Sequence, residues 1–222
     1  MARRDSLSVR LWRGLTRALS PVLGMALTWL YARDLSLPLK EFRARVPVEV
    51  GKARETELDE IARVAATSVH EAALVRARDE VRARIAGGAR CFVARMNGAI
   101  VHVNWLIFGR MEHWPRDELV TPLRPGEVYC TDGVTVESAR GKGIHTEVLR
   151  AMLHYLQQAG YRRAYTIVDH ENEASWKTHV RLDWELSGFA LQVRPRWSRK
   201  IRLVVVVWGL AGKAARMHDD HA

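Results

Sequence analysis

The chain has 222 residues, 48% of them hydrophobic and 27% charged, enough for one substantial core plus a terminal extension. Its formal charge of +10 fits partners such as nucleic acid, membranes, or anionic cofactors and substrates. The two cysteines, Cys91 and Cys130, form no CxxC pair, which argues against a disulfide scaffold or a zinc cluster and fits a reducing compartment.

At the N-terminus, Arg10, Arg13 and Arg17 fall on one helical stripe and Leu11, Leu15, Leu19 and Val22 on another. Ser20-Pro21 predicts the start of a second helix over "PVLGMALTWLYARDL", because proline suits the first helical position. The apolar run is too short and interrupted for a span of about 20 residues. It also lacks the small-residue cleavage site of a signal peptide. A basic amphipathic helix with Trp12 and Trp29 suits an anionic membrane surface; docking on its own domain or on a partner is the alternative.

A linker then leads into a first strand over 46–52. Leu58, Ile61 and Ala65 mark one face of a helix, and "HEAALVRARDEVRARIAGG" predicts a second, ended by Gly87-Gly88. "CFVARMNGAIVHVNWLIFG" reads as a hairpin turning at Asn97-Gly98. The long connection "MEHWPRDELVTPLRPGE" reads as partly irregular and close to a functional face. A strand over 128–136 feeds into "ESARGKGIHTEVL", where Gly141 and Gly143 stand beside Arg140 and Lys142 just as an apolar helical pattern begins. Unpaired amides at a helix start carry positive potential, and glycine lets a ligand reach them, so this turn suits an anion such as a phosphate. A basic strand-to-helix turn with no ligand is the alternative. The helix ends at Gly160, and "RRAYTIV" is the next strand, a βαβ spacing that predicts parallel neighbours. A short helix over 174–183 and strands over 186–193 and 201–208 complete the order β-α-α-β-β-β-α-β-α-β-β.

That order, with Arg140, Gly141, Lys142, Gly143, Ile144 and His145 following the fourth strand, resembles the GNAT N-acetyltransferase superfamily. His145 departs from the small residue usual at its position. A second signature follows the fifth strand: Asn172, Ser175 and His179 have the family spacing, although Asp183-Trp184 replaces the usual Gly-Phe. The resemblance implies an α/β (α+β) fold. Its sheet is mixed and mostly antiparallel, with a central parallel pair made by the fourth and fifth strands and helices on its flanks. The expected division is a basic helical extension and linker over 1–45, an acyltransferase domain over 46–210 and a tail over 211–222.

The resemblance also implies chemistry. Acetyl-CoA or another acyl-CoA is the co-substrate, with no metal. Its diphosphate is expected on the turn from Arg140 to His145, which includes Lys142 and Ile144. Its pantetheine arm is expected along backbone near Val134 and Val136, with Asn172 and Ser175 also on the cofactor. His179 stands where the family often places a tyrosine acid; lining the cofactor groove is its other reading. Asp132 is a candidate base, or else a buried hydrogen-bonding carboxylate, and His102 is a lesser candidate. Cys130 reads as packing rather than as a nucleophile. The leading expectation is direct N-acylation of a small-molecule amine by a cytoplasmic protein, with peripheral contact on the inner face of the membrane through the N-terminal helix. Alternatives are a membrane-associated acyltransferase using longer acyl-CoA or acyl carrier protein, and a non-catalytic acyl-CoA or nucleic-acid binder. The sequence shows no recognition-helix motif for nucleic acid.

Overall fold

The computed structural model describes residues 14–15, 17–19, 22–66, 71–112, 120–197 and 203–208. Arg10, Arg13, Leu11 and Trp12, on which the membrane-surface expectation rests, lie outside them, as does the tail from 209 onward. Residues 14–15 and 17–19 are helical. Among the described residues no helix is long and apolar enough to cross a membrane.

The described residues divide between two compact units. The larger comprises Arg33–Thr166 with Arg181–Asp183. In it, β2 (Glu49–Lys52), β3 (Arg90–Met96), β4 (Ala99–Phe108) and β7 (Glu127–Thr135) pair antiparallel in that order. β7 then pairs parallel with the start of β8 (Arg163–Asp169), from Glu127↔Arg163 to Cys130↔Thr166. The expected parallel pair in an otherwise antiparallel sheet is therefore present. Asn97 and Gly98 both take positive φ, 52° and 82°, as a two-residue hairpin turn requires.

One face of this sheet carries α1 (Leu58–Ala65) and α2 (Glu71–Ala86). Ile61, Ala62, Ala77 and Val81 pack there with Cys91, Val93, Ile100, Val103 and Trp105. The helix α3 (Ile144–Gln158) buries Ile144, Val148, Leu149, Met152, Leu153 and Leu156, the apolar stripe read from the sequence. Burying each such side chain is worth about 1.5–3 kcal/mol. The long connection after β4 is more regular than expected: β5 (Arg110–Glu112) and β6 (Val120–Pro122) pair antiparallel, and 113–119 lie outside the described residues.

The smaller unit corrects the reading of the N-terminal segment. Where a helix was expected over "PVLGMALTWLYARDL", Leu23–Asp34 forms the twelve-residue strand β1. It pairs antiparallel with β9 (Glu185–Pro195) from Leu23↔Pro195 to Ala32↔Glu185. β10 (Leu203–Trp208) pairs with the same strand. Partner availability overrides local helix propensity here, as it often does for strands. Trp29 meets Phe189 edge-on at 6.5 Å across the pairing, and Leu30 and Tyr31 are buried. The folded body thus includes residues well before position 46, and 23–34 are not part of a helical extension.

This pairing makes Leu30→Ala a core mutation, expected to cost about 2–5 kcal/mol in urea unfolding. Leu15→Ala, at a position 49% exposed, is expected to stay within about 0.5 kcal/mol of wild type. Similar small effects at both positions would contradict the strand assignment.

Candidate functional site

The turn between β7 and α3 is built by two left-handed glycines. Gly141 has φ +76° and Gly143, the residue that caps α3, has φ +81°. A Cβ at Gly141 would meet nothing within 4 Å, so that side of the turn is open. A Cβ at Gly143 would instead lie 3.1 Å from the Phe42 ring. The segment before β2 closes over this side of the turn. Arg45 donates its N–H to the Lys142 carbonyl at 2.9 Å, and Ala44 donates to Glu147 Oε2 at 3.1 Å. Arg140 reaches back, donating from Nε to the Thr135 carbonyl at 3.2 Å. The first amides of α3 have no partner one turn earlier, as at any helix start. The arrangement suits a diphosphate: open backbone donors, the positive end of a fifteen-residue helix, and the cations Arg140 and Lys142.

Upstream, β7 carries a bulge. Val103 pairs with Val134 and Trp105 with Thr131, so Asn104 alone faces Asp132 and Gly133. Asp132 takes φ +54°, a cost held in place by an ion pair with Arg84 of α2 at 2.6 Å. Arg84 also donates to Glu80 at 2.8 Å and stands over the Trp105 ring. Gly133, the next residue, points toward α3. A Cβ there would lie 2.9 Å from His145 Nε2 and 3.2 Å from Asn104 Nδ2. Val134 is half-buried against the α1/α2 core. Val136 has both backbone groups engaged: it donates to the Val101 carbonyl and accepts from the Ala139 N–H, each at 3.0 Å.

His145, the departure from the family motif, turns inward from the first turn of α3. Its ring stacks on His102 of β4, with centroids 5.2 Å apart and planes 30° apart. His102 is fully buried, with Nδ1 2.7 Å from Thr135 Oγ1, and its Nε2 has no partner among the described residues. Burial, and then the neighbouring His145, pushes the His102 ring well below the ordinary histidine range. Burial brings His145 down to about 4. Both rings are therefore neutral at pH 7. Each site residue on the turn and on β7 thus falls in the larger unit, together with Phe42, Ala44, Gly133 and Glu147, which sequence reasoning missed. The one sequence signal for them was the unusual His145 itself.

The second signature lies in the smaller unit, at the start of α4 (Glu173–Arg181). Asn172 acts as the helix cap, its Oδ1 accepting the Ser175 N–H at 3.1 Å. His179 is buried between Tyr31, stacked at 6.2 Å, and the edge of Trp184 at 5.2 Å. Its Nδ1 lies 2.8 Å from the Ser175 carbonyl. A carbonyl only accepts, so Nδ1 carries the hydrogen and any proton exchange passes through Nε2. Cys130 is buried, and burial pushes its thiol far above the ordinary range, consistent with packing. Among the described residues no group of His, Cys, Asp or Glu is placed to hold a metal ion.

The model of the acetyltransferase (GNAT) family matches residues 55–184, more than half of the chain. The chain belongs to the GNAT acetyltransferase family. Solved structures agree on the fold. The tandem GNAT protein from the clavulanic acid biosynthesis pathway is 12% identical, with a TM-score of 0.56 over 87% of this chain and 60% of that one. An acetyltransferase from the GNAT family of Colwellia psychrerythraea is 12% identical, with a TM-score of 0.54 over 78% and 56%. A functionally unknown conserved protein from Staphylococcus epidermidis is 12% identical, with a TM-score of 0.51 over 85% and 66%. The GNAT chain therefore spans 56–66% of the length of these proteins. No curated protein sequence matches it.

The histidine pair sets a direction for stability. An unfolded histidine titrates near about 6.5. A ring held down to about 4 in the folded chain gives stability that is complete above that unfolded value and is lost as pH falls toward 4. For His145 the loss at pH 5 is on the order of 2 kcal/mol, or roughly 4–8 °C in melting temperature. His145→Asn is expected to show a smaller drop between pH 7.5 and 5 than wild type, measured by differential scanning fluorimetry. Equal drops in both proteins would remove the pair as the source.

Proposed function

We propose that the chain is an acyl-CoA-dependent N-acyltransferase, most simply an N-acetyltransferase, acting on a small-molecule amine. The observation that carries this reading is the left-handed Arg140–Gly143 turn, open at Gly141, at the start of α3 in a chain of the GNAT family. The residues fit a CoA diphosphate on the amides from Gly141 to His145, with Arg140 and Lys142 as counter-charges and Ile144 as the first helical residue. Acyl-CoA supplies an acyl thioester as an activated donor. Backbone of β7 around Val134 supports the pantetheine arm in strand fashion. Val136 contributes less, because Val101 and Ala139 already use its N–H and carbonyl.

For proton handling we assign His179 as the exchanging group. With Nδ1 fixed by Ser175, a neutral ring accepts at Nε2 and the cation donates there, so an acid role requires the imidazolium. Asn172 and Ser175 support this by shaping the first turn of α4. Asp132 must leave Arg84 before it acts as a base; held as it is, it anchors the bulge.

Acetyl-CoA or CoA at 100 times its Kd is expected to stabilise the protein by about 2.7 kcal/mol in a thermal-shift assay. Arg140→Glu, an exposed charge reversal beside the turn, is expected to remove most of that shift. An absent shift in the wild type sinks the cofactor assignment. In a thiol-release assay across an amine panel, His179→Ala is expected to lower kcat about 10²–10⁴-fold with little change in acyl-CoA KM. Near-normal kcat with a raised KM would mark His179 as a groove residue.

A further inference from the structure

The His102–His145 stack is not used by the reaction above, and one of its two rings is fully buried. Two imidazoles lie face to face at 5.2 Å, one of them fully enclosed with an unpartnered Nε2. His145 belongs to the first turn of α3, so its own backbone N–H is among the donors offered to an anion. Its ring reaches from there to the β7 bulge, filling the space that Gly133 leaves. Resting on the CoA reading, we propose that a diphosphate bound at the Arg140–His145 turn draws a proton from solvent onto the stacked pair. The neutral strut of the free protein then becomes a cation that helps hold the ligand.

The charged groups around the pair shape this response. In the free protein burial holds both rings neutral, and for His102 the neighbouring His145 adds to it. The carboxylates on neighbouring elements already have cationic partners: Asp132 of β7 is bound to Arg84 of α2, and Glu147 of α3 lies 3.6 Å from Arg150. Asn104 beside the pair is neutral. A bound diphosphate reverses the local balance. An opposite charge a few ångströms away raises an imidazole pKa by about 1–3. From about 4, that brings the ring into the range where it holds a proton near pH 6. The hydrogen taken up comes from buffer, and no bond other than N–H is formed.

The test is calorimetric titration of the full chain at pH 6.0 in MES, Bis-Tris and cacodylate, which differ in ionisation enthalpy. The ligand is 3′-dephospho-CoA, which keeps the diphosphate but lacks the 3′-phosphate that itself titrates at about pH 6. The dependence of binding heat on buffer gives the number of protons exchanged. We expect uptake of about 0.5 proton by the wild type, and at least a several-fold smaller uptake by His145→Asn. If His145→Asn fails to fold or bind, His102→Asn, able to keep the Thr135 bond, is held to the same criterion. Binding without buffer dependence, or with uptake undiminished in the variant, overturns the proposal and leaves the CoA assignment standing. Absence of binding by both CoA and dephospho-CoA defeats the CoA assignment instead.

Discussion

The left-handed conformation at Gly143 is the constraint on which the site in the larger unit depends. The chain must leave β7, reverse, and enter α3 with its first amides still available. A side chain at φ +81° would be strained, and here it would also meet the Phe42 ring. With glycine in place, the segment from Phe42 to Arg45 lies across one side of the turn and is tied down by the Lys142 carbonyl and the Glu147 carboxylate. The other side, at Gly141, stays open. One covered face and one open face make the turn rigid without closing it, which is the form of preorganisation an anion site needs.

The bulge at Asp132 and Gly133 is the second fixed point. Consecutive residues of a strand address opposite faces, and these two do so with different chemistry. Asp132 is drawn to Arg84 on α2, while Gly133 makes room for His145 on α3. The strand is therefore gripped from both sides next to the place where parallel pairing with β8 ends, at Cys130↔Thr166. Through His102 and Thr135 the same grip extends to the strand end, where the Thr135 carbonyl accepts from Arg140. Turn and bulge thus form one connected polar unit rather than two separate features.

Much of this was readable from sequence, and the reasons differ by element. The apolar stripe of α3, the Asn97-Gly98 hairpin and the βαβ spacing are local signals, and each appears where expected. The glycine turn was readable because left-handed geometry restricts residue choice. β1 was not, because "GMALTWLYA" suits a helix locally and only the partner strand β9 makes it a strand. The bulge was hidden because nothing in "CTDGVT" announces that two residues face one. His145 was visible as an odd residue, but its direction was not, since that depends on the absent side chain at Gly133 and on the ring of His102.

Amide hydrogen exchange on the full chain, with and without CoA, bears most directly on the claim that the start of α3 is the diphosphate site. CoA is expected to slow exchange most at the amides of residues 141–145, with a smaller effect extending into β7 near Val134. Bound CoA that leaves those five amides unchanged, with protection appearing elsewhere in the chain, would contradict it.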